Sequence, residues 1–209
     1  MREKGPIRVF AVDDHPLVLE GIASLIEGEQ DIQLVGEAAN GQEAVQRYAK
    51  YRPDITVIDV KMPMMDGVQA ISAIREKFPN ARFIALTTYQ GDIQALRALK
   101  AGASGYLLKS RVRTNLLDTI RIVFQGKSYI PPEVAAELAE HIAQESLTER
   151  EIEVLRYVAS GKANKAIADR LAISEATVKK HLKSILAKLG ANDRTHAVTI
   201  SLRRGFLDL

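Results

Sequence analysis

Short apolar runs that stop on a polar or charged residue recur through the first half of this chain. IRVFAV (Ile7–Val12), ITVI (Ile55–Ile58), FIAL (Phe83–Leu86) and YLL (Tyr106–Leu108) are too short for buried helices and rich in β-branched or aromatic residues. They read as buried strands. IQLVGEA (Ile32–Ala38) mixes polar with apolar residues and reads as a strand nearer an edge. Helix-period segments lie between and after them, over Pro16–Glu27, Gln42–Tyr51, Val68–Lys77, Ile93–Ala101 and Leu116–Gln125. In the first, Leu17, Ile22, Leu25 and Ile26 share a face, and Pro16 suits a first helical turn. Strands alternating with helices predict an α/β domain: a doubly wound, five-stranded parallel sheet covered on both sides.

The strand ends carry the chemistry. The first strand runs into Asp13-Asp14, the third into Asp59, the fourth into Thr87-Thr88 and the fifth into Lys109. In an open parallel sheet the ligand crevice lies beyond the carboxyl ends of the strands. Three carboxylates, a hydroxyl and an ammonium from four segments therefore meet at one edge. Two carboxylates about 4 Å apart repel by about 4 kcal/mol at an effective dielectric of about 20, so three demand cations. Lys109 is one. A hard divalent ion is the natural second, and Mg²⁺ takes carboxylates, water and phosphate oxygens. Such an ion beside a carboxylate and a lysine outlines a phosphoryl-transfer site, in which the carboxylate itself can be the nucleophile.

Other residues near this edge read as structural. His15, which follows the acidic pair and could be taken for a metal ligand or a base, reads as turn packing; Met62, Met64 and Met65, which could suggest a soft metal site, read as loop packing; Pro63 and Gly67 read as shaping the loop. Neither GxxxxGK[ST] nor GxGxxG is present, so the sequence gives no sign of ATP binding. There is no cysteine, hence no disulfide framework and no thiolate metal site. The first residues, MREKGPIRVF, lack the apolar core of a signal peptide, and no stretch reaches the ~18 apolar residues of a membrane span. The expected location is the cytoplasm.

The net charge of +3 is unevenly distributed. Residues 1–127 hold 17 basic and 15 acidic side chains, residues 128–145 hold four glutamates and no lysine or arginine, and residues 146–209 hold 12 basic and 7 acidic. This predicts a near-neutral domain over 1–127, an acidic linker with a short helix over 128–145, and a basic domain over 146–209 suited to nucleic acid. In the linker, Val134, Leu138 and Ile142 form an apolar stripe; a helical spacer and a helix that docks and is released both suit it.

The basic end begins with a capping box, Thr148 with Glu151 three residues on, and its first helix stops at Gly161. ANKAIADRLAIS gives a second short helix and a tight turn. Ser174 then caps EATVKKHLKSILAKL, whose stripe Val178, Leu182, Ile185, Leu186 and Leu189 leaves Lys179, Lys180, Lys183 and Lys188 outside it. NDRTHAVTISLRRG gives a fourth helix. Two short helices, a turn and a lysine-studded helix make an all-α, four-helix domain on the helix-turn-helix plan.

VDDHPLV, IDVKMPMMDG, ALTTY and GASGYLLKS together resemble the receiver domain of two-component response regulators, in order, over about Ile7 to Lys127. LTEREIEVLRYVASGKANKAIADRLAISEATVKKHLKSILAKL resembles the LuxR-type DNA-binding domain, and the whole chain resembles the NarL/FixJ subfamily. The resemblance implies that Asp59 accepts phosphate from a cognate histidine kinase. It implies Mg²⁺ held by Asp14, Asp59, Asp13 through water, and the Lys61 backbone carbonyl. Thr87 and Lys109 would engage the phosphoryl group, and Thr87 and Tyr106 would form the switch. Lys61 and Tyr89 would influence how fast phosphate is lost. Lys179, Lys180 and Lys183 would reach base edges of double-stranded DNA, with Thr177, His181, Lys165 and Lys188 as phosphate contacts or register setters. The last helix resembles the family's dimerisation helix, implying a homodimer when phosphorylated.

Many receivers carry a proline after the lysine, in a cis bond; Ser110 stands here, where a cis bond costs about 2.5–4 kcal/mol. Either the site imposes that cost or the bond is trans. The expected function is transcriptional regulation rather than catalysis. A Mg²⁺-dependent aspartyl phosphatase is the enzyme alternative, but adjacent Asp13-Asp14 lacks the D-x-D spacing of that class. A phosphate-independent regulator working through protein contacts is the binding-module alternative.

Overall fold

The computed structural model describes residues 5–88, 92–136 and 147–207, with the backbone alone at 92, 93 and 203. Tyr89 and the linker positions Leu138 and Ile142 lie outside the described residues. The chain packs as two units, the first extending to Val134.

In the first unit, β1 (Ile7–Val12), α1 (Pro16–Glu27), β2 (Ile32–Ala38), α2 (Gly41–Tyr51), β3 (Ile55–Asp59), α3 (Gly67–Lys77), β4 (Phe83–Thr87), α4 (Asp92–Ala101), β5 (Gly105–Leu108) and α5 (Val112–Phe124) follow in order. The strands form one parallel sheet in the order β2-β1-β3-β4-β5. β2 is an edge strand, as its mixed composition predicts. The chain moves outward from β1 in one direction to β2 and in the other to β3, so the topological switch point lies between the carboxyl ends of β1 and β3. Asp13-Asp14 and Asp59 flank that crevice.

Every residue of β3, β4 and β5 is buried. One core holds Val9, Ala11, Ile22, Ile26, Ile55, Val57, Ile84, Leu86, Leu107, Leu116, Ile120 and Val123. Side chains of opposite parity, such as Phe10 and Phe83, point to the other face, where Phe10 meets Tyr51 and Tyr48 lies between Phe78 and Phe83. A strand buried on both faces cannot slip by one residue without misplacing all its side chains, which fixes the register that delivers Asp59.

Two local features depart from the sequence reading. α5 begins at Val112, four residues before Leu116, because a 3-10 turn over Lys109–Arg111 leads directly into it and Val112 packs on the core. Tyr129, assigned from sequence to the linker, is tied to β5: its N–H donates to Ser104 O at 3.0 Å, and its carbonyl accepts from Tyr106 N at 2.8 Å. Two hydrogen bonds to a strand edge carry no compositional signal, so sequence places that segment with its acidic neighbours.

In the second unit, α6 (Glu149–Ala159), α7 (Asn164–Leu171), α8 (Glu175–Leu189) and α9 (Arg194–Arg204) enclose Val154, Leu155, Val158, Ile167, Val178, Ile185, Leu189 and Ala197. Thr148 and Glu151 form the capping box, Ser174 accepts from Thr177 N, and Asp193 accepts from His196 N. The turn between α7 and α8 is made by Ala172 in the left-handed region, at φ 51°. α7, that turn and α8 compose the helix-turn-helix. No helix among the described residues is long and apolar enough to cross a membrane.

Candidate phosphoacceptor site and DNA-binding helix

Asp59 is the last residue of β3 and Asp13 directly follows β1; both are buried, at 3% and 0% exposure. Gly67 makes the placement of Asp59 possible. A Cβ there would lie 2.0 Å from the Asp59 backbone oxygen, and the Gly67 N–H donates to Val60 O at 3.0 Å. Only a residue without a side chain lets α3 begin this close to the end of β3.

Lys109, just past β5, extends its ammonium between the two carboxylates, 2.7 Å from Asp13 Oδ2 and 2.8 Å from Asp59 Oδ2. The Lys61 N–H approaches Asp59 Oδ1 at 3.3 Å. Asp14, more exposed than Asp13, and His15 complete a cluster in which one donor atom each from Asp13, Asp14, His15 and Asp59 lie within 4.8 Å of one another. Thr87 ends β4, buried, beside β3, and Tyr106 is buried within β5. The strand-end rule thus assembles Asp13, Asp14, Asp59 and Lys109 in one pocket. No peptide bond among the described residues is cis; Lys109–Ser110 is trans, with Lys109 in the 3-10 turn.

His15 differs from its sequence reading. Its ring is 65% exposed, not packed, and Nδ1 lies 3.1 Å from Asp13 Oδ1 and 2.9 Å from Asp14 Oδ1. Of the methionines, Met62 is buried as loop packing requires, whereas Met64 is 77% exposed.

The electrostatics are those of a pocket short of positive charge. Burial pushes the Asp59 carboxyl above the usual aspartate range, against the opposing pull of the Lys109 hydrogen bond. For Lys109, burial works against the charge, but its close contacts with the Asp13 and Asp59 carboxylates outweigh it and hold the ammonium protonated. One cation shared by two carboxylates does not fully compensate Asp59. Asp13 Oδ2 and Asp14 Oδ1 are also buried without a donor in hydrogen-bond geometry, although Lys109 and His15 stand close enough for charge contact. Carboxylate oxygens converging without directional donors suit a spherical hard cation, so the residues present fit a divalent metal.

In the second unit, Lys179, Lys180 and Lys183 are exposed along α8, and Lys165 is exposed at the start of α7. Lys179 also reaches Glu175 Oε1 one turn back, at 3.3 Å, an exposed pair of little weight. Thr177 and His181 are partly buried, and the Thr177 hydroxyl is 2.8 Å from Ser174 Oγ at the helix start.

Lys188 is less exposed than these. Its side chain is only 15% exposed, and Nζ lies 2.9 Å from Glu151 Oε2, itself buried. Ser184 Oγ donates to Glu151 Oε1 at 2.6 Å, and Thr148 N donates to Oε2 at 2.7 Å. Burial alone would push the Glu151 carboxyl up; the hydrogen bonds from Ser184, Thr148 and Lys188 pull it down to about 2. This ammonium is paired within the helical unit. Glu151 is accordingly the residue that sequence reasoning undervalued, since the capping box accounts for only one of its oxygens.

Residues 9–121 match the family model described as the response regulator receiver domain. Residues 145–201 match that of the bacterial regulatory proteins, luxR family. The transcriptional regulatory protein YdfI of Bacillus subtilis (strain 168) is 40% identical over 210 residues, covering 97% of this chain and 98% of that protein. The response regulator protein VraR of Staphylococcus aureus (strain COL) is 36% identical over 206 residues, covering 96% and 99%. Among solved structures, RcsB from Salmonella enterica serovar Typhimurium, bound to promoter rprA in the presence of phosphomimetic BeF3-, superposes with a TM-score of 0.69. It shares 28% identity and covers 94% of this chain and 98% of its own.

A carboxylate-edged parallel-sheet domain joined in one chain to a helix-turn-helix domain defines a DNA-binding regulator of transcription. The chain belongs to the LuxR-type (NarL/FixJ) response regulators, a kind of protein that is not generally an enzyme.

Proposed function

We propose that this regulator is switched by phosphorylation of Asp59 in the cytoplasm, with a histidine kinase as donor. Residues 1–127 act as the receiver, 128–145 as the linker, whose Tyr129 is held on β5, and 146–209 as the DNA-binding domain. A carboxylate oxygen of Asp59 attacks phosphorus, the P–N bond to the kinase imidazole breaks as the O–P bond forms, and the leaving nitrogen keeps its electron pair. Asp13, Asp14, Asp59 and the Lys61 backbone carbonyl would hold Mg²⁺, which when bound neutralises charge on the phosphoryl oxygens. Lys109 moves with the charge: poised between Asp13 and Asp59, it becomes the ion-pair partner of the new phosphoryl group. The Thr87 hydroxyl donates to that group, and Tyr106 changes rotamer with it. These shifts alter one face of the domain and favour a homodimer on DNA. Lys179, Lys180 and Lys183 reach base edges, while Lys165, Thr177 and His181 set register against the backbone.

The observation that carries this reading is a buried Asp59, at the end of a fully buried strand, with one ammonium shared between it and Asp13. Asp59→Asn is the test. A small-molecule acyl-phosphate donor with Mg²⁺ should label the wild type and not the variant, and only the wild type should gain DNA affinity. Labelling of the variant together with a rise in its DNA affinity would refute the assignment.

A further inference from the structure

We propose that His15 is a metal ligand, making the acidic pocket a mixed nitrogen–oxygen site that favours a borderline divalent metal such as Ni²⁺ over Mg²⁺. This rests on the reading of the pocket as a cation site and adds to it a donor and a selectivity.

Three observations converge on the ring. First, its position is fixed by the backbone. His15 immediately precedes α1 with φ −100° and ψ 109°, Pro16 occupies the first helical position, and the His15 N–H donates to Asp13 Oδ1 at 2.9 Å. Second, Nδ1 is held near two carboxylate oxygens from different residues at once, 3.1 Å from Asp13 and 2.9 Å from Asp14. A neutral imidazole carries one N–H, so with the proton on Nδ1 it serves these oxygens; moved to Nε2, it leaves the Nδ1 lone pair facing the space they border. Third, the ring is 65% exposed, so packing does not explain its orientation, and Asp13 Oδ2 and Asp14 Oδ1, though in charge contact with Lys109 and His15, have no donor in hydrogen-bond geometry.

The donor set then determines the preference. Carboxylates alone suit Mg²⁺, whereas an imidazole among them adds affinity along the series from Mn²⁺ to Cu²⁺. Lys109 lies between Asp13 and Asp59, and His15 lies between Asp13 and Asp14. The nitrogen donor and the resident ammonium thus address different carboxylate pairs and do not compete for one position.

The full-length protein loaded with Mn²⁺ and studied by pulsed electron paramagnetic resonance should show coupling to a ¹⁴N nucleus that disappears in His15→Ala. In parallel titrations, His15→Ala should lower Ni²⁺ affinity about tenfold or more and change Mg²⁺ affinity less than about twofold. Bound Mn²⁺ without nitrogen coupling, coupling that survives in His15→Ala, or equal losses for Ni²⁺ and Mg²⁺ would overturn the role of His15 alone. If the wild type binds neither metal, or if Asp14→Asn leaves both affinities unchanged, the cation-site reading falls too.

Discussion

Gly67 and Lys188 show how much one side chain decides. Gly67 lies against the carbonyl of Asp59, so even a methyl group must push the β3 end or the α3 start aside. Gly67→Ala should lower stability by about 1–3 kcal/mol and slow phosphoryl labelling of Asp59 beyond what the stability loss explains; thermal melts and donor labelling read the two effects. Lys188 separates from the other lysines by the same kind of evidence. Removing one partner of a buried ion pair leaves the other uncompensated, so Lys188→Ala should cost about 3 kcal/mol and leave the salt dependence of DNA binding unchanged. Lys183→Ala should do the reverse, weakening specific binding and relaxing sequence choice with little change in melting. The pocket residues Asp13, Asp14, Asp59 and Lys109 were legible in the sequence because each follows an unmistakable strand, and strand ends converge by topology. His15 was not, because a histidine after two aspartates has the same sequence whether it packs, caps or ligates. The pairing of Lys188 with Glu151 was not, because the two lie 37 positions apart.

Among elements, the capping box at the start of α6 does more than cap. Glu151 joins the first turn of α6 to α8 through Ser184 and Lys188. Its carboxyl sits at about 2 in the fold against 4.5 for an unperturbed glutamate. The unfolded chain therefore takes up the proton first. The stabilisation is fully present above about pH 4.5 and drains away as the pH falls towards 2. Chemical denaturation of the full chain, followed by the signal of the helical unit, should show this loss of stability below about pH 4.5, and Glu151→Gln should flatten it. A variant whose acid sensitivity matches the wild type would contradict the network. Elements with strong periodicity were legible to within a residue or two: α1 and α2 from their apolar faces, β3 from its unbroken apolar run. The start of α5 was not, since Arg113, Thr114 and Asn115 carry no apolar signal and the turn is set by β5. Tyr129 escaped for a similar reason, being held by main-chain hydrogen bonds that any residue can make.

For the whole molecule, uneven charge separated the chain into parts before any geometry was available. The basic residues of the second unit matter through where they stand: Lys179, Lys180 and Lys183 line the exposed side of α8. The acidic residues of the first matter through crowding at one sheet edge, where Lys109 offsets only part of their charge. On the function proposed above, charge added at Asp59 changes what the lysines of α8 do on DNA. The most direct measurement is equilibrium affinity for a selected DNA site at fixed salt, with Mg²⁺, with and without beryllofluoride, for the wild type and Asp59→Asn. The account predicts that beryllofluoride tightens binding by the wild type and leaves Asp59→Asn unchanged. Equal affinities for the wild type in both conditions, or equal tightening in the variant, would contradict it.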